Sequence, residues 1–219
     1  MATTGLVVAV PKGRIQEELA PLLDKVGIRP EKSFFDDSER ALQFTCRDSD
    51  VTLIRVRSFD VATFVAFGAA QIGVAGSDVM MEFDYQDLYA PLNLNIGHCR
   101  LCVAEPEGLK GSEDLSRASH LRVATKYPNV TRKYFAERGI QAECIKLSGA
   151  MELAPRLGLA RRIVDLVSSG RTLLANGLRE VETIAQVSSR LIVNRSAFKT
   201  RSTEMNDMIA RFREAVNAR

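Results

Sequence analysis

Ile163-Val-Asp-Leu-Val-Ser-Ser-Gly-Arg-Thr172 begins as an apolar run holding one acid, Asp165, and ends in small hydroxylated residues around a glycine. This is the pattern of a buried strand opening into a phosphate-binding loop. Small residues let consecutive backbone N–H groups close around an anion, Gly170 permits a positive φ, and the hydroxyls of Ser168, Ser169 and Thr172 add donors. Asp165 at the mouth of the loop can accept from sugar hydroxyls or hold a magnesium ion. The combination suits a ribose 5-phosphate. No lysine follows the glycine, so this is not a Walker loop. The same residues are compatible with an ordinary strand-to-helix turn capped by serine.

The 219 residues fit one large domain or two small ones. A hydrophobic fraction of 46% with 26% charged residues is that of a soluble globular protein. The net charge of +3 does not indicate a nucleic-acid coat and does not oppose polyanionic small substrates. The run Gly5–Val10 is too short for a signal core, and nothing approaches the roughly 18 apolar residues of a membrane span. Cytoplasmic location is therefore expected, with no membrane and no nucleic acid among the partners. Cys46, Cys99, Cys102 and Cys144 read as reduced and mostly buried. His98 and His120 are isolated and read as structural.

Outward from the loop, strands and helices alternate. Leu6–Val10 is a strand, and Pro11-Lys12-Gly13-Arg14 turns it into a helix carrying Ile15, Leu19, Leu22, Leu23 and Val26, closed by Gly27. Lys12 and Arg14 sit at that turn, where cations argue for phosphate or for two solvated charges. Strands are expected at 41–46, 51–56 and 71–76. After 51–56, Arg57 leads into a helix capped by Ser58 or Asp60, with Val61, Phe64 and Val65 inward. Glycines in 71–76 point to close passage of another backbone or a ligand, and Ser77 and Asp78 cap a helix starting at Val79. Further strands are expected at 96–104, 121–125 and 142–147, and residues 105–120 resemble a linker. Lys126 follows the second of these strands, and Glu152 lies on a short helix before the loop. Asn176-Gly177 turns into extended segments up to Val193, and Met205, Met208, Ile209, Phe212 and Val216 line a final helix.

This alternation predicts an α/β fold with mostly parallel sheets, in two α/β lobes around a cleft. Lobe I takes residues 1–93 plus 180–219, and lobe II takes 94–179 with the phosphate loop. The turns after the strands, at 12–14, 76–78, 126–129 and 168–172, would face the cleft.

The segment from Glu152 to Leu173, with Gly158, Ala160, Ile163, Asp165, Leu166, Ser169, Gly170 and Thr172 in register, resembles the motif of the ATP phosphoribosyltransferase family. The resemblance continues in Ala175-Asn-Gly-Leu178, Lys12-Gly-Arg14, Val74-Ala-Gly-Ser-Asp78 and Ala124-Thr-Lys-Tyr-Pro-Asn129, so it spans nearly the whole chain. It implies lobes like those of type II periplasmic binding proteins. It implies transfer of phosphoribosyl from phosphoribosyl pyrophosphate to N1 of ATP with Mg2+, the first step of histidine biosynthesis.

The resemblance places the 5-phosphate on Ser168, Ser169, Gly170, Arg171 and Thr172, and the ribose hydroxyls near Asp165, with Glu152 a further substrate contact. Arg14 and Arg40 become the catalytic cations facing pyrophosphate and ATP phosphates, seconded by Lys12 and Arg57. Ser77, Asp78 and Lys126 flank the nucleotide. Magnesium is expected mainly on substrate phosphates, with no dedicated metal site. Arg171 either points outward or adds a cation to the loop. With one closing helix after the lobes, the chain resembles the short form, which works with a regulatory subunit similar to histidyl-tRNA synthetase. A homodimer within a hetero-oligomer is the expected assembly. Two other readings fit parts of the pattern: a two-lobed small-molecule binding module, and a salvage phosphoribosyltransferase using a free base. The latter commonly carries two adjacent acids at the loop, whereas Leu166 follows Asp165 here.

Overall fold

The computed structural model describes residues 5–47, 49–108 and 120–218. The chain forms two compact units, which divide after Gly97 and after Val187.

The first unit is built on β1 (Leu6–Pro11), α1 (Arg14–Lys25), β2 (Arg29–Pro30), a 3₁₀ turn (Lys32–Phe35), β3 (Gln43–Arg47), β4 (Val51–Val56), α2 (Ser58–Ala66), β5 (Ile72–Gly76), α3 (Ser77–Phe83) and β6 (Leu88–Asn93). The chain completes it with β12 (Ser189–Asn194), α7 (Arg195–Thr200) and α8 (Ser202–Asn217). Its sheet runs β2-β3-β4-β1-β5-β12-β6. β1 reads as a continuous apolar run because both its faces are covered. Leu6, Val8 and Val10 pack with Leu19, Leu22 and Leu23 of α1 and Met205, Met208 and Phe212 of α8. Val7 and Ala9 pack on the opposite face with Val61, Ala62 and Val65 of α2 and Val79 of α3.

The second unit holds β7 (Cys99–Pro106), β8 (His120–Thr125), α4 (Pro128–Ala136), β9 (Gln141–Lys146), α5 (Leu153–Arg156), β10 (Arg162–Val167), α6 (Arg171–Ala175) and β11 (Leu178–Val187). Its sheet runs β11-β7-β10-β8-β9. Ile163 and Val167 of β10 share a core with Cys102, Ala124, Met151, Ala154 and Leu173.

Several expectations are corrected. The sheets are mixed rather than mostly parallel: β4-β1-β5 and β10-β8-β9 are parallel, whereas β3, β6, β7, β11 and β12 enter antiparallel. β11 pairs with β7 along its length, so the second unit extends to Val187 rather than ending near residue 180. β6 occupies a stretch with no strand expectation. Phe64 does not point inward and is 38% exposed. Arg57 and Gly76, not serine or aspartate, stand at the N-caps of α2 and α3. Ser77 lies inside its helix. At Gly73 the nearest neighbours are α2 side chains, with a Cβ 2.8 Å from Val61 and 2.7 Å from Val65, and the expected close backbone is the Ala9 carbonyl of β1 at 3.4 Å. Of the linker-like stretch, residues 109–119 fall outside the described residues, and Glu105 and Pro106 belong to β7.

Candidate active site

In the second unit, β10 is the central strand; it carries Asp165, paired with Cys102 of β7, and ends at Val167. Gly170 then takes φ +77°, a left-handed conformation that costs a residue with a Cβ roughly 1–2 kcal/mol. The peptide N–H of Arg171 donates to Ser169 Oγ at 3.4 Å, and Arg171 Nε donates to the same oxygen at 3.3 Å. The Arg171 side chain thus folds back over the loop while remaining exposed. Thr172 starts down α6, its carbonyl accepting from Asn176 Nδ2 at 2.9 Å. Asp165 is half-buried and accepts the N–H of Leu166 at 2.8 Å.

The loop is held from β7. Arg100 Nη1 donates to the Ser168 carbonyl at 3.0 Å. Its Nε and Nη2 grip the Glu180 carboxylate of β11 at 2.9 and 2.6 Å. Glu180 also accepts from Thr183 Oγ1 and Cys102 Sγ, each at 3.0 Å. The Arg100 guanidinium, followed by the Cys102 and Thr183 donors, brings the Glu180 carboxyl down to about 2. Burial, then the Glu180 carboxylate, pushes the Cys102 thiol up to about 12, so that thiol stays protonated and inert.

Thr125 locks the neighbouring turn. It is fully buried, donates to the Val164 carbonyl at 2.8 Å and accepts the Tyr127 N–H at 2.9 Å. Val164 pairs with Thr125 in parallel register, so Lys126, just past the end of β8, falls beside Asp165 near the carboxyl end of β10. Glu152 stands at the N-cap of α5, between Met151 and Ala154 of the core shared with β10.

In the first unit the parallel order β4-β1-β5 puts three strand ends on one edge. The Lys12 N–H donates to the Val56 carbonyl at 3.0 Å, which sets Lys12 beside Arg57 in the backbone. Ser77 and Asp78 follow β5 on the same edge. Ser77 is pinned by Ser188, whose carbonyl accepts the Ser77 N–H at 3.0 Å and whose N–H donates to Ser77 Oγ at 3.3 Å. Asp78 is 5% exposed and folds over Gly76 so closely that a Cβ on the glycine would overlap its carboxylate. Arg14 opens α1 with its Nε 3.5 Å from Glu18, which also accepts the Gly97 N–H at 2.7 Å. Arg40 lies before β3. The antiparallel β3–β4 register, continued where Arg55 N donates to the Leu42 carbonyl at 2.8 Å, runs Arg40 toward the end of β4 that Arg57 follows. Lys12, Arg14, Arg40 and Arg57 are all exposed.

The expected residues thus form two sets. Lys12, Arg40, Arg57, Ser77 and Asp78 gather at one edge of the first unit's sheet, with Arg14 two residues beyond Lys12. Lys126, Asp165 and the Ser168–Thr172 loop gather at carboxyl ends of β8 and β10 in the second. Arg100, Thr125 and Glu180, which hold the second unit's loop and turn, carry no local sequence signal.

A family model described as HisG, ATP phosphoribosyltransferase, matches residues 57–214. The chain belongs to the ATP phosphoribosyltransferase family. It is 62% identical over 214 residues to an ATP phosphoribosyltransferase of Rhizorhabdus wittichii, covering 98% of this chain and 97% of the relative. It is 65% identical over 213 residues to that of Rhodospirillum rubrum, covering 97% and 94%. Among solved structures, a chain of the ATP phosphoribosyl transferase (HisG:HisZ) complex from Thermotoga maritima superposes with TM-score 0.82 at 31% identity, covering 98% of this chain and 100% of that one. The periplasmic aliphatic sulphonate binding protein SsuA from Escherichia coli matches with TM-score 0.60 at 15% identity, over 97% of this chain and 68% of that one. That likeness concerns the fold, which is the type II periplasmic-binding-protein-like α/β arrangement.

Proposed function

We propose that this chain catalyses attack of N1 of ATP on C1 of phosphoribosyl pyrophosphate. The new N1–C1 bond forms as the bond from C1 to pyrophosphate oxygen breaks, and the leaving group takes the electron pair. The products are phosphoribosyl-ATP and pyrophosphate, the opening step of histidine biosynthesis. The observation that carries this reading is the Asp165–Thr172 segment. Its left-handed Gly170, hydroxyls and half-buried acid lie inside the span matched by the family model.

The 5-phosphate sits on Ser168 to Thr172, with Arg171 adding positive charge over the loop. Asp165 accepts from the ribose hydroxyls, and Glu152 is a further substrate contact. Arg14 and Arg40 stabilise negative charge building on pyrophosphate and the ATP phosphates, seconded by Lys12 and Arg57. Ser77, Asp78 and Lys126 flank the nucleotide. The sugar passes through an oxocarbenium-like state, so the protein supplies alignment and electrostatics and no nucleophile. Among the described residues no group of three or more His, Cys, Asp or Glu gathers as a metal centre. Magnesium enters with the substrates on their phosphate oxygens, and Asp165 is the carboxylate of the loop that suits it.

The relative from Thermotoga maritima is part of a HisG:HisZ complex, which supports a HisZ-like regulatory partner here, similar to histidyl-tRNA synthetase. A homodimer inside that hetero-oligomer is the assembly we assign. Four free cysteines and nucleotide substrates support a cytoplasmic location. Among the described residues no helix is long and apolar enough to cross a membrane.

The test is pyrophosphate release with ATP, phosphoribosyl pyrophosphate and magnesium, with and without the HisZ-like subunit, repeated with adenine replacing ATP. ATP-dependent release is expected. Release with adenine alone favours base salvage, and silence throughout with tight phosphoribosyl pyrophosphate binding favours a binding module.

A further inference from the structure

Arg55 lies on β4 at 0% exposure, on the face whose other inward residues are Val51 and Leu53. A guanidinium in an apolar interior is strongly unfavourable unless its donors are used. Here the two terminal nitrogens donate to backbone carbonyls, while among the described residues the buried Nε has no partner. Nη1 donates to the Phe34 and Asp36 carbonyls, both at 2.9 Å. Nη2 donates to the Glu39 carbonyl at 2.7 Å and, more weakly, to the Ala41 carbonyl at 3.4 Å. The Phe44 ring lies 4.9 Å from the guanidinium carbon, a cation–π distance. Gln16 Nε2 adds a second donor to the Phe34 carbonyl at 2.5 Å.

Glu39 and Ala41, two of the four residues whose carbonyls accept from Arg55, flank Arg40. Phe34 is anchored in the core and by Gln16, whereas from Asp36 to Ala41 the other side-chain hydrogen bonds are short-range. Asp36 Oδ1 accepts the Ser38 N–H at 2.8 Å and hydroxyl at 2.7 Å, and Glu39 Oε1 accepts the Ala41 N–H at 2.8 Å. Such contacts shape a turn but do not fix its place on the sheet. Arg55 does both, because its own N–H starts the β3–β4 ladder at Leu42 while its side chain spans residues 34 to 41. A planar fork of donors can bridge four carbonyls, which a single ammonium cannot.

We propose that Arg55 is the positioning residue that presents Arg40 to the anionic substrate. This rests on the role given to Arg40 above. Arg55 itself touches no substrate. It sets where the Arg40 backbone lies, and displacement of about 1 Å at a charge-stabilising group can cost about a hundredfold in turnover.

The test is a double-mutant cycle on the full chain with its regulatory partner: Arg55→Met, Arg40→Ala, both together, and Arg55→Lys. Rates and KM values are read below the melting temperature of every variant. The expected result is a loss in Arg55→Met of the same kinetic parameter that Arg40→Ala loses, with partial recovery in Arg55→Lys. The double variant should be no slower than Arg40→Ala alone, since residues acting as one unit do not add. Losses that multiply overturn the proposal, as does an Arg40→Ala enzyme that turns over like the parent. Trypsin cleavage after Arg40 reads the tether without reference to activity. Faster cutting in folded Arg55→Met is expected, and an unchanged rate overturns the proposal. A parent chain that releases no pyrophosphate from ATP strikes the reaction proposed above, and the trypsin result still decides the role of Arg55.

Discussion

The Arg100 guanidinium donates to the Ser168 carbonyl at 3.0 Å, and the two residues are 68 positions apart in the chain. The contact ties the first peptide of the Ser168–Thr172 loop to a neighbouring strand. The bidentate Glu180 carboxylate stops the guanidinium from rotating away. Arg100→Met keeps most of the side-chain volume and removes the tether. A hydrogen bond from a charged group is worth about 1.5–3 kcal/mol, so KM for phosphoribosyl pyrophosphate should rise about tenfold or more. KM for ATP should change little. Initial rates with each substrate varied in turn check this, and equal changes in both constants would detach Arg100 from the loop.

The same pair sets an acid limb to stability. The Glu180 carboxyl titrates at about 2 against its ordinary 4.5, chiefly through the Arg100 hydrogen bond. A carboxyl with a lowered folded-state value contributes stability that is fully present above about 4.5 and lost as pH falls through about 2. Glu180→Gln should therefore lower the melting temperature at pH 7. The gap to the parent should narrow as the pH is taken from 4.5 toward 2. Melting curves across that window check it, and a gap that does not depend on pH would mean that packing, not charge, is lost.

What was legible in the chain was local. Ser168 to Thr172 could be read because the loop's geometry depends on its own small residues and on Gly170. α1 and α8 could be read because each buries one helical stripe. Strand direction was not legible: the buried apolar run of β7 reads the same whether it runs with or against β10. β6, with Leu88, Pro91 and mostly exposed or half-buried positions, lacks the alternation of a half-buried strand. Phe64 fits the helical spacing of an inward residue, yet packing left it on the outer side of α2. Arg55, Arg100, Thr125 and Glu180 each act on at least one partner far along the chain, up to 80 positions away, and no pattern of neighbours encodes such contacts.

Gly76 is required by its neighbour rather than by its backbone. Its φ of −65° and ψ of 149° suit any residue, but a Cβ would overlap the Asp78 carboxylate. Gly76→Ala must therefore move a buried acid or the start of α3. Overpacking of this kind costs about 1–3 kcal/mol, and in a chain of this length each kcal/mol lowers the melting temperature by about 2–4 °C. If Asp78 flanks the nucleotide as proposed, KM for ATP should rise alongside the thermal loss. A variant with the lower melting temperature and unchanged ATP kinetics would leave Asp78 a structural acid.

Arg14→Ala separates chemistry from stability. The side chain is 51% exposed and its Glu18 partner 39%, with 3.5 Å between them. An exposed ion pair of that kind contributes about 0–1 kcal/mol, so the melting temperature should barely move. If Arg14 meets charge that appears as pyrophosphate departs, its removal takes away an interaction stronger in the transition state than in the ground state. Loss of comparable groups lowers turnover by about two to three orders of magnitude. The fall should then appear equally in kcat and in kcat/KM. A rise in KM with kcat intact would mean that Arg14 binds the polyphosphate equally before and during the reaction. Single-turnover rates with saturating substrates decide between these outcomes, because they exclude product release from the comparison.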